Sequence, residues 1–437
     1  MRKKNYTILF VTVISLLLIF TACSNDAKRV AGTSKKGDDN DDIEKVEEVT
    51  IRVAIPLSEE YFDGRFGEVD KKLENIKLEY VPYGNSAESL QEFFSKKQSP
   101  DIIIGDYPPI KELDIGYPLD DLIEQHNFDL DALDPSLVSF MRSLDDEGRM
   151  VGFPDGTSFY GLYYNKDVFD KFGKEYPDPD IPMTWNELME LAKEMTRELG
   201  GDQYIGLQEG PSGALGELAA RSTNPDTGEV LVENDPAFKK YFDLIEAYYN
   251  IPDIDSPDLS DNPFVEERTA AMYIGTNNYF AWGWGNPDPE MIKNIDLAPV
   301  PVWEDQPNTT PAKNAWPMVI ADYSEHKEEA FQVLTTYLDS EIQIGMAKTM
   351  MLQTPLVDPE VLKYYGSDVP TYEGKNIEAY FFGEAAQYEG RQSNWDDYVD
   401  IDEAERKIRE DKVDVVTVLR ELAEESEGKI KSAMAEQ

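Results

Sequence analysis

The residues with the clearest chemical potential are aromatic side chains that stand beside carboxylates and amides. Tyr107 follows Asp106 directly, and Tyr279 and Trp282 lie close to Asn277. Sugars present flat apolar faces and rings of hydroxyl groups, so their sites combine aromatic surfaces with hydrogen-bonding side chains in a concave pocket. These clusters favour non-covalent binding of a carbohydrate. Core packing is the alternative for each ring, since most of the 24 Tyr and 19 Phe must fill the interior.

Patterns typical of catalysis do not occur in the sequence. His126 and His326 are the only histidines, and neither belongs to a zinc-binding arrangement. The sequence contains no nucleophile elbow, Walker or dinucleotide glycine pattern. With 87 acidic residues, a pair of carboxylates says little about glycosidase chemistry. We therefore predict no catalytic residue, no metal site and no cofactor.

The N-terminus has the pattern of an export signal. Basic residues at 2–4 precede an apolar run at 8–20, which is short for a bilayer span, and Cys23 follows. This order resembles the bacterial lipoprotein signal, although Phe20 stands where that motif most often has leucine. The resemblance implies a signal peptide at 1–22, acylation of Cys23, for example with palmitate, and a lipid anchor on the extracytoplasmic face of the cell membrane. An uncleaved anchor helix is the alternative.

The charge balance excludes some classes of partner. The 87 acidic against 41 basic residues give a net charge of −46, which disfavours nucleic acid and adsorption to anionic membranes. Such acidity indicates a solvated surface, or a salty or alkaline habitat. Residues 23–48 are polar and acidic, and we predict a flexible tether there. Cys23 is the only cysteine, so no disulfide forms within the chain. We also expect the protein to be a monomer.

The elements after the tether indicate an α/β fold. Short apolar segments at 49–55, 76–81 and 101–106 predict strands, and an amphipathic stretch at 86–97 predicts a helix. Strands that alternate with helices form open α/β sheets, in which ligands bind at the carboxyl ends of the strands. This rule directs attention to residues 56–61 and to Asp106 and Tyr107.

A second block begins near residue 152. SFYGLYYN at 158–165 predicts a strand and KDVFDKF at 166–172 a helix. Thr184 and Glu187 form the capping-box pattern at the start of another helix. Trp185 lies at the start of that capped helix, so we interpret it as structural.

The order of several segments resembles the maltose-binding type of extracellular solute-binding proteins. GFP and FYGLYYNKDVFDKFG are followed by PMTWNELMELAKEMT, and MLQTP at 351–355 resembles the return to the other lobe. FVEERTAAMYIGTNNYFAW at 264–282 resembles the helix that ends in a small-residue turn and a ligand-facing aromatic. SEHKEEAFQVLTTYL at 324–338 and the C-terminal DVVTVLRELAEESEGKI resemble two further helices of the family. The resemblance covers nearly all of the chain after the tether.

The resemblance implies a two-lobed, type II periplasmic-binding-protein fold. Its lobes are discontinuous and joined by a hinge, and we expect an N-terminal lobe at 48–154 plus 300–352 and a C-terminal lobe at 155–299 plus 353–437. The ligand would lie in the interlobe cleft, and the partner would be the permease of an ABC importer. We expect the ligand-binding residues to be Asp106, Tyr107, Asp155, Tyr160, Asn277, Tyr279, Trp282 and Trp316.

These observations predict a lipid-anchored substrate-binding protein for a solute, with an oligosaccharide as the expected ligand. One alternative is a surface carbohydrate hydrolase, which would degrade a bound glycan. Another is a ligand-sensing lipoprotein that acts without transport.

Overall fold

Two β-sheets organise the part of the chain that the computed structural model describes, residues 48–96, 99–255, 262–276, 280, 289–349 and 353–436. The predicted signal peptide, Cys23 and the tether up to residue 47 lie outside these ranges. The strands, in chain order, are β1 (Val49–Ile55), β2 (Ile76–Pro82), β3 (Ile102–Ile104), β4 (Gly116–Tyr117), β5 (Phe153–Pro154), β6 (Tyr160–Asn165), β7 (Arg197–Leu199), β8 (Asp202–Gln208), β9 (Ala270–Thr276), β10 (Ile295–Pro299), β11 (Thr309–Thr310), β12 (Pro317–Ala321) and β13 (Glu384–Ala385).

Helices cover the faces of these sheets. They are α1 (Glu59–Lys72), α2 (Ala87–Lys96), α3 (Tyr107–Glu112), α4 (Asp120–His126), α5 (Pro135–Ser143), α6 (Lys166–Phe172), α7 (Trp185–Met195), α8 (Ala214–Leu218), α9 (Pro236–Tyr249), α10 (Pro289–Ile292), α11 (Lys327–Tyr337), α12 (Ser340–Thr349), α13 (Pro359–Leu362), α14 (Ile401–Arg409) and α15 (Val415–Glu436). Short 3₁₀ turns occur at Leu130–Ala132, Pro370–Tyr372, Ile377–Phe381 and Asp396–Tyr398. None of the described helices is both long enough and apolar enough to cross a membrane.

The first sheet has the order β2-β1-β3-β12-β4, with β5 also paired to β12. Strands β1, β2 and β3 run parallel, whereas β12 runs antiparallel to β3 and to β5. Both faces are buried, since Ile51 and Val53 of β1 belong to one apolar cluster and Ala54 to another. The carboxyl ends of β1, β2 and β3 therefore share one edge with the amino end of β12.

The second sheet has the order β10-β6-β9-β8-β7 and mixes parallel and antiparallel pairs. Its central strand β9 is buried along almost all of its length. The capping box predicted at Thr184 and Glu187 is present at the start of α7, and Trp185 is fully buried. The predictions of that cap and of a structural role for Trp185 are confirmed.

Among the described residues, three segments that connect the two sheets lie side by side. The segment from β5 to β6 bonds to the segment after α12, because the Thr157 N–H donates to the carbonyl of Gln353 at 3.1 Å. The segment between β10 and β12 bonds to the first of these, since the Asp155 N–H donates to the Trp316 carbonyl at 2.9 Å. Paired segments of this kind are where a hinge between two lobes would bend. The lobe boundaries stated above stay predictions.

One expected element is wrong. Residues 264–282 were expected to include a helix, but the described part contains β9 at Ala270–Thr276. The segment AAMYIGT is buried on both faces between β6 and β8, so its apolar residues do not follow the helical period. The aromatic residues near position 280 therefore follow a strand.

Candidate functional site

The register of the first sheet brings residues that are distant in sequence together at the edge where the parallel strands β1, β2 and β3 end. Met318 of β12 pairs with Ile104 of β3, so the same register continued for two residues sets Trp316 opposite Asp106. On the other side of β12, Pro317 pairs with Pro154, and the next pair joins Trp316 to Asp155. Trp316 therefore lies between two aspartates that are far apart in sequence.

The side chain of Trp316 is bonded to Asp106. Its indole Nε1–H donates to Asp106 Oδ1 at 3.0 Å, while the ring is half-buried and the carboxylate is exposed. The backbone N–H of Trp316 donates to Asp155 Oδ1 at 3.1 Å. Both the main chain and the ring of Trp316 are thus held by hydrogen bonds within the protein.

Asp155 lies beneath this edge, and its oxygen atoms accept hydrogen bonds from other groups of the protein. Its Oδ2 accepts from Arg65 Nη1 at 3.0 Å, and its backbone carbonyl accepts from the Tyr337 hydroxyl at 2.6 Å. Burial raises the pKa of Asp155, and the Arg65 guanidinium and the Trp316 N–H oppose that rise. With 6% of its surface exposed and both carboxylate oxygens bonded, Asp155 is placed to fix the connection between the sheets.

A cavity of about 270 Å³ opens beside Trp316, and we call it the Trp316 cavity. This volume lies just below the range of about 300–1,000 Å³ that is usual for small-ligand sites. The Thr157 hydroxyl is buried and has no hydrogen-bond partner in the described part of the chain. The cavity is lined by Asp106, Phe140, Asp155, Gly156, Thr157, Ser158, Asn314, Ala315, Trp316 and Gln353.

Tyr160 lines a second cavity of about 180 Å³, which we call the Tyr160 cavity. Ser158 belongs to the walls of both cavities, so the two are neighbours along the segment from β5 to β6. The Tyr160 cavity is lined by Asp134, Ser158, Phe159, Tyr160, Thr310, Pro311, Lys313, Thr354, Leu356, Val357, Leu362, Tyr380, Phe381, Phe382 and Gly383.

Among the described residues that line the two cavities, the one cation is Lys313, and it is neutralised. Its Nζ lies 2.5 Å from Asp134 Oδ2 and 4.8 Å from the centre of the Phe159 ring. Burial alone would raise the pKa of Asp134, but Lys313 and the Ser136 donors outweigh it, and the pKa is lowered. The Asp134 carboxylate therefore stays ionised and forms an ion pair with Lys313 at the cavity wall.

Tyr107 is placed differently from Trp316. It is half-buried at the start of α3, packs against both apolar clusters of the first sheet and lines neither of the two cavities. Burial raises its pKa to about 12, so the phenol is neutral at physiological pH. The structure thus does not bring Tyr107 to the cavities that hold Asp106 and Tyr160.

Three predicted contacts, Asn277, Tyr279 and Trp282, lie outside the described residues, as does the lipidation candidate Cys23. The neighbouring Phe280 is described and is fully buried. Its ring packs edge-on against Tyr163, with the ring centres 4.9 Å apart. Phe280 is therefore a core residue.

Sequence reasoning missed two residues that shape the site. Arg65 on α1 gave no signal, because its partner Asp155 lies 90 positions away. Asn85 bonds to Asp106, and the rule that sites form at the carboxyl ends of strands would have pointed to it after β2. For metals, no group of three or more potential ligands comes together within the described residues.

Residues 58–344 match the profile of a family described as bacterial extracellular solute-binding protein. Among characterised relatives, the sn-glycerol-3-phosphate-binding periplasmic protein UgpB of Agrobacterium fabrum is 35% identical over 80 residues. That match spans 18% of this chain and only 17% of the length of UgpB.

Solved structures of other proteins are similar to this chain over a much longer stretch. The sugar-binding protein MalE of Xanthomonas citri has a TM-score of 0.68 at 17% identity, with 89% of this chain and 100% of that chain covered. The ABC substrate-binding protein Lmo0181 of Listeria monocytogenes, solved in complex with cycloalternan, has a TM-score of 0.65 at 18% identity, over 88% and 100% of the two chains. The fold is therefore the two-lobed, type II periplasmic-binding-protein fold.

Proposed function

The chain belongs to the bacterial extracellular solute-binding protein family, and we propose that it captures an oligosaccharide between its lobes and delivers it to an ABC transporter permease. The observation that carries this proposal is the half-buried indole of Trp316, held by Asp106 at the wall of a polar cavity. A fixed aromatic ring beside hydrogen-bonding groups suits the apolar face and hydroxyl groups of a sugar.

The charges at the cavities favour a neutral ligand. Lys313 is already paired with Asp134, and Asp106 adds a negative charge near Trp316. A phosphate or carboxylate would have to displace or overcome these carboxylates. The relative named for sn-glycerol 3-phosphate makes a phosphorylated polyol the second candidate, and its short match is the observation in favour.

We propose that the predicted residues contribute in different ways. Trp316, Asp106 and Tyr160 line the cavities and would contact the ligand. Asp155 would act through the segment that it fixes. Tyr107, Asn277, Tyr279 and Trp282 stay predicted ligand contacts.

Hinge closure would link capture to delivery. A ligand shifts the open and closed populations only if it binds one of them more tightly, so it must contact both lobes. The permease would then recognise the closed form. In this proposal the protein is a binding protein and not a hydrolase. The family and the two structural neighbours are likewise described as binding proteins.

We further propose that acylation of Cys23 anchors the protein to the extracytoplasmic face of the membrane. Two or more acyl chains give stable anchoring, whereas one chain binds only reversibly. Replacement of Cys23 by serine should release the protein from the membrane fraction. Mass spectrometry of the N-terminal peptide should show acyl groups on Cys23 in the protein without this substitution.

The ligand class can be tested on the chain without residues 1–22 and with Cys23→Ser. The thermal midpoint is measured with maltotriose, mannobiose, sn-glycerol 3-phosphate, short peptides and amino acids. Selective binding to the folded state raises the midpoint. At a ligand concentration 100 times Kd, the free energy of unfolding increases by about 2.7 kcal/mol.

Each outcome points to one function. A rise with an oligosaccharide that is recovered intact supports the proposal, and a degraded oligosaccharide favours the hydrolase. A rise only with sn-glycerol 3-phosphate or peptides overturns the carbohydrate assignment. Failure of the permease to co-purify with a sugar-loaded protein would favour a sensor without transport.

A further inference from the structure

Both carboxylate oxygens of Asp106 are bonded to side chains of the protein. Oδ1 accepts from Trp316 Nε1 at 3.0 Å, and Oδ2 accepts from Asn85 Nδ2 at 2.7 Å. Bonds from neutral donors to a charged carboxylate are stronger than those between neutral groups. The carboxylate therefore joins the indole ring on one side to an amide on the other.

Asn85 holds the main chain of Asp106 as well as its side chain. Asn85 Oδ1 accepts from the Asp106 N–H at 2.9 Å and from the Tyr83 hydroxyl, also at 2.9 Å. The Tyr83 hydroxyl lies 3.1 Å from the Ile104 carbonyl at the end of β3. Burial raises the pKa of Tyr83 further above its ordinary value, which already exceeds physiological pH, so this hydroxyl keeps its proton.

Two residues in this network have positive φ angles that allow its hydrogen bonds. Asn85 has a φ of 52°, a left-handed conformation that asparagine tolerates better than most residues. Gly105 has a φ of 155°, and a Cβ at this position would overlap Tyr83 Oη and Asn85 Oδ1. Glycine is thus needed for the side chains to approach the strand end so closely.

We propose that Asn85 is a positioning residue that acts through Asp106 to fix the indole of Trp316, and so sets the affinity for a sugar that stacks on this ring. Asn85 does not line the Trp316 cavity, so it exerts its effect without contact to the ligand. The inference rests on the proposed function, because it assumes that a ligand uses Trp316.

The physical reason is preorganisation. The main chain of Trp316 is held by Asp155, which leaves the rotation of the side chain as the remaining freedom. A ring that must be immobilised on binding lowers the affinity, and the usual cost of one such side chain corresponds to a loss of roughly 2- to 10-fold.

Two substitutions of Asn85 test the proposal. Asn85→Gly removes the side chain, and glycine adopts a φ of 52° readily. Asn85→Asp keeps an acceptor for the Asp106 N–H but replaces the Nδ2 donor by a carboxylate oxygen next to Asp106 Oδ2. The matched control is Asn127→Gly, since Asn127 is exposed at the end of α4 with a φ of 50°.

The first measurement needs no ligand. The ¹H–¹⁵N signal of the Trp316 indole is identified by its loss in Trp316→Phe, and its position and hydrogen-exchange rate are compared among variants. We expect a shifted signal and faster exchange in Asn85→Gly and Asn85→Asp, with no change in Asn127→Gly. An unchanged indole signal in both folded Asn85 variants would overturn the support role.

The second measurement is calorimetric affinity for maltotriose and mannobiose at pH 7. We expect roughly 2- to 10-fold weaker binding in Asn85→Gly and at least as large a loss in Asn85→Asp, because two carboxylates repel. Full affinity in both variants, despite an altered indole signal, would refute the effect on affinity. If the unmodified protein binds neither sugar, that result counts against the proposed function, and the indole signal alone decides whether Asn85 positions the ring.

Discussion

The substitution Asp155→Asn should destabilise the protein strongly, although it removes only one charge. The Arg65 and Asp155 side chains are 10% and 8% exposed, and Arg65 Nη1 lies 3.0 Å from Asp155 Oδ2. In Asp155→Asn the amide oxygen can still accept from the Trp316 N–H, which leaves the amide NH₂ facing the guanidinium. Two donors would then face each other in the interior, and the Arg65 charge would have no counter-ion.

The size of the effect follows from this burial. Removal of one partner of a buried ion pair costs about 3–5 kcal/mol, because the remaining charge stays away from water. Arg65 Nε already has no hydrogen-bond partner among the described residues, so nothing nearby offsets the loss. For roughly 390 folded residues the unfolding entropy is about 0.8 kcal/mol/K, which converts this cost to a fall of about 4–6 °C in Tm.

Calorimetry and urea unfolding of Asp155→Asn, Arg65→Met and the double variant test the argument. The double variant should lose less stability than the sum of the two single losses, because it leaves no uncompensated charge. Lys71→Met is the control, since Lys71 and Glu68 form an exposed pair at 2.6 Å with side chains 71% and 70% exposed, and we expect no measurable change. A loss below about 1 kcal/mol in Asp155→Asn would show that the pair does not stabilise the connection between the lobes.

Three further predictions concern other positions. Burial raises the pKa of Glu217 to about 9, so the folded state holds a proton that the unfolded state releases above a pH of about 4.5. The free energy of unfolding should therefore fall as the pH rises towards 9. In urea titrations, Glu217→Gln should reduce this fall by up to about 1.4 kcal/mol per pH unit. Gly206→Ala should cost at least about 1–3 kcal/mol in the same assay, because a Cβ there would overlap the backbone of Ala192, and an unchanged midpoint would contradict that close packing. Trp282→Ala should weaken sugar binding by about 1–3 kcal/mol in calorimetry, and full affinity in a folded variant would remove Trp282 from the site.

The local elements were predictable because their signals are contained in short stretches. The strand predicted at 49–55 is β1 with the same bounds, and the helix predicted at 166–172 is α6. The capping box at Thr184 was read from two residues three positions apart. Alternation, helical period and capping act between near neighbours, so the chain carries this information locally.

The prediction of a helix within 264–282 was wrong because the deciding contacts are not local. The strand β9 lies between β6 and β8, so residues that look like the apolar side of a helix are buried on both faces of a sheet. Burial by neighbouring strands is a tertiary property, and a short apolar run fits either element until its neighbours are known.

The class of protein and the types of side chain at the site could be predicted from the amino-acid sequence alone. It indicated an α/β fold, a two-lobed binding protein by resemblance, and aromatic rings with carboxylates such as Trp316 and Asp106 as candidates. These conclusions depend on composition, local pattern and the order of segments, all of which can be read along the chain.

Which of the candidate residues lie next to each other became visible only in the three-dimensional structure. Trp316 reaches both Asp106 and Asp155 because β12 pairs with β3 on one side and β5 on the other. Sequence separations of 210 and 161 residues carry no sign of these contacts. Strand register sets the partners across a sheet, and register is fixed by packing among segments that are remote in the chain.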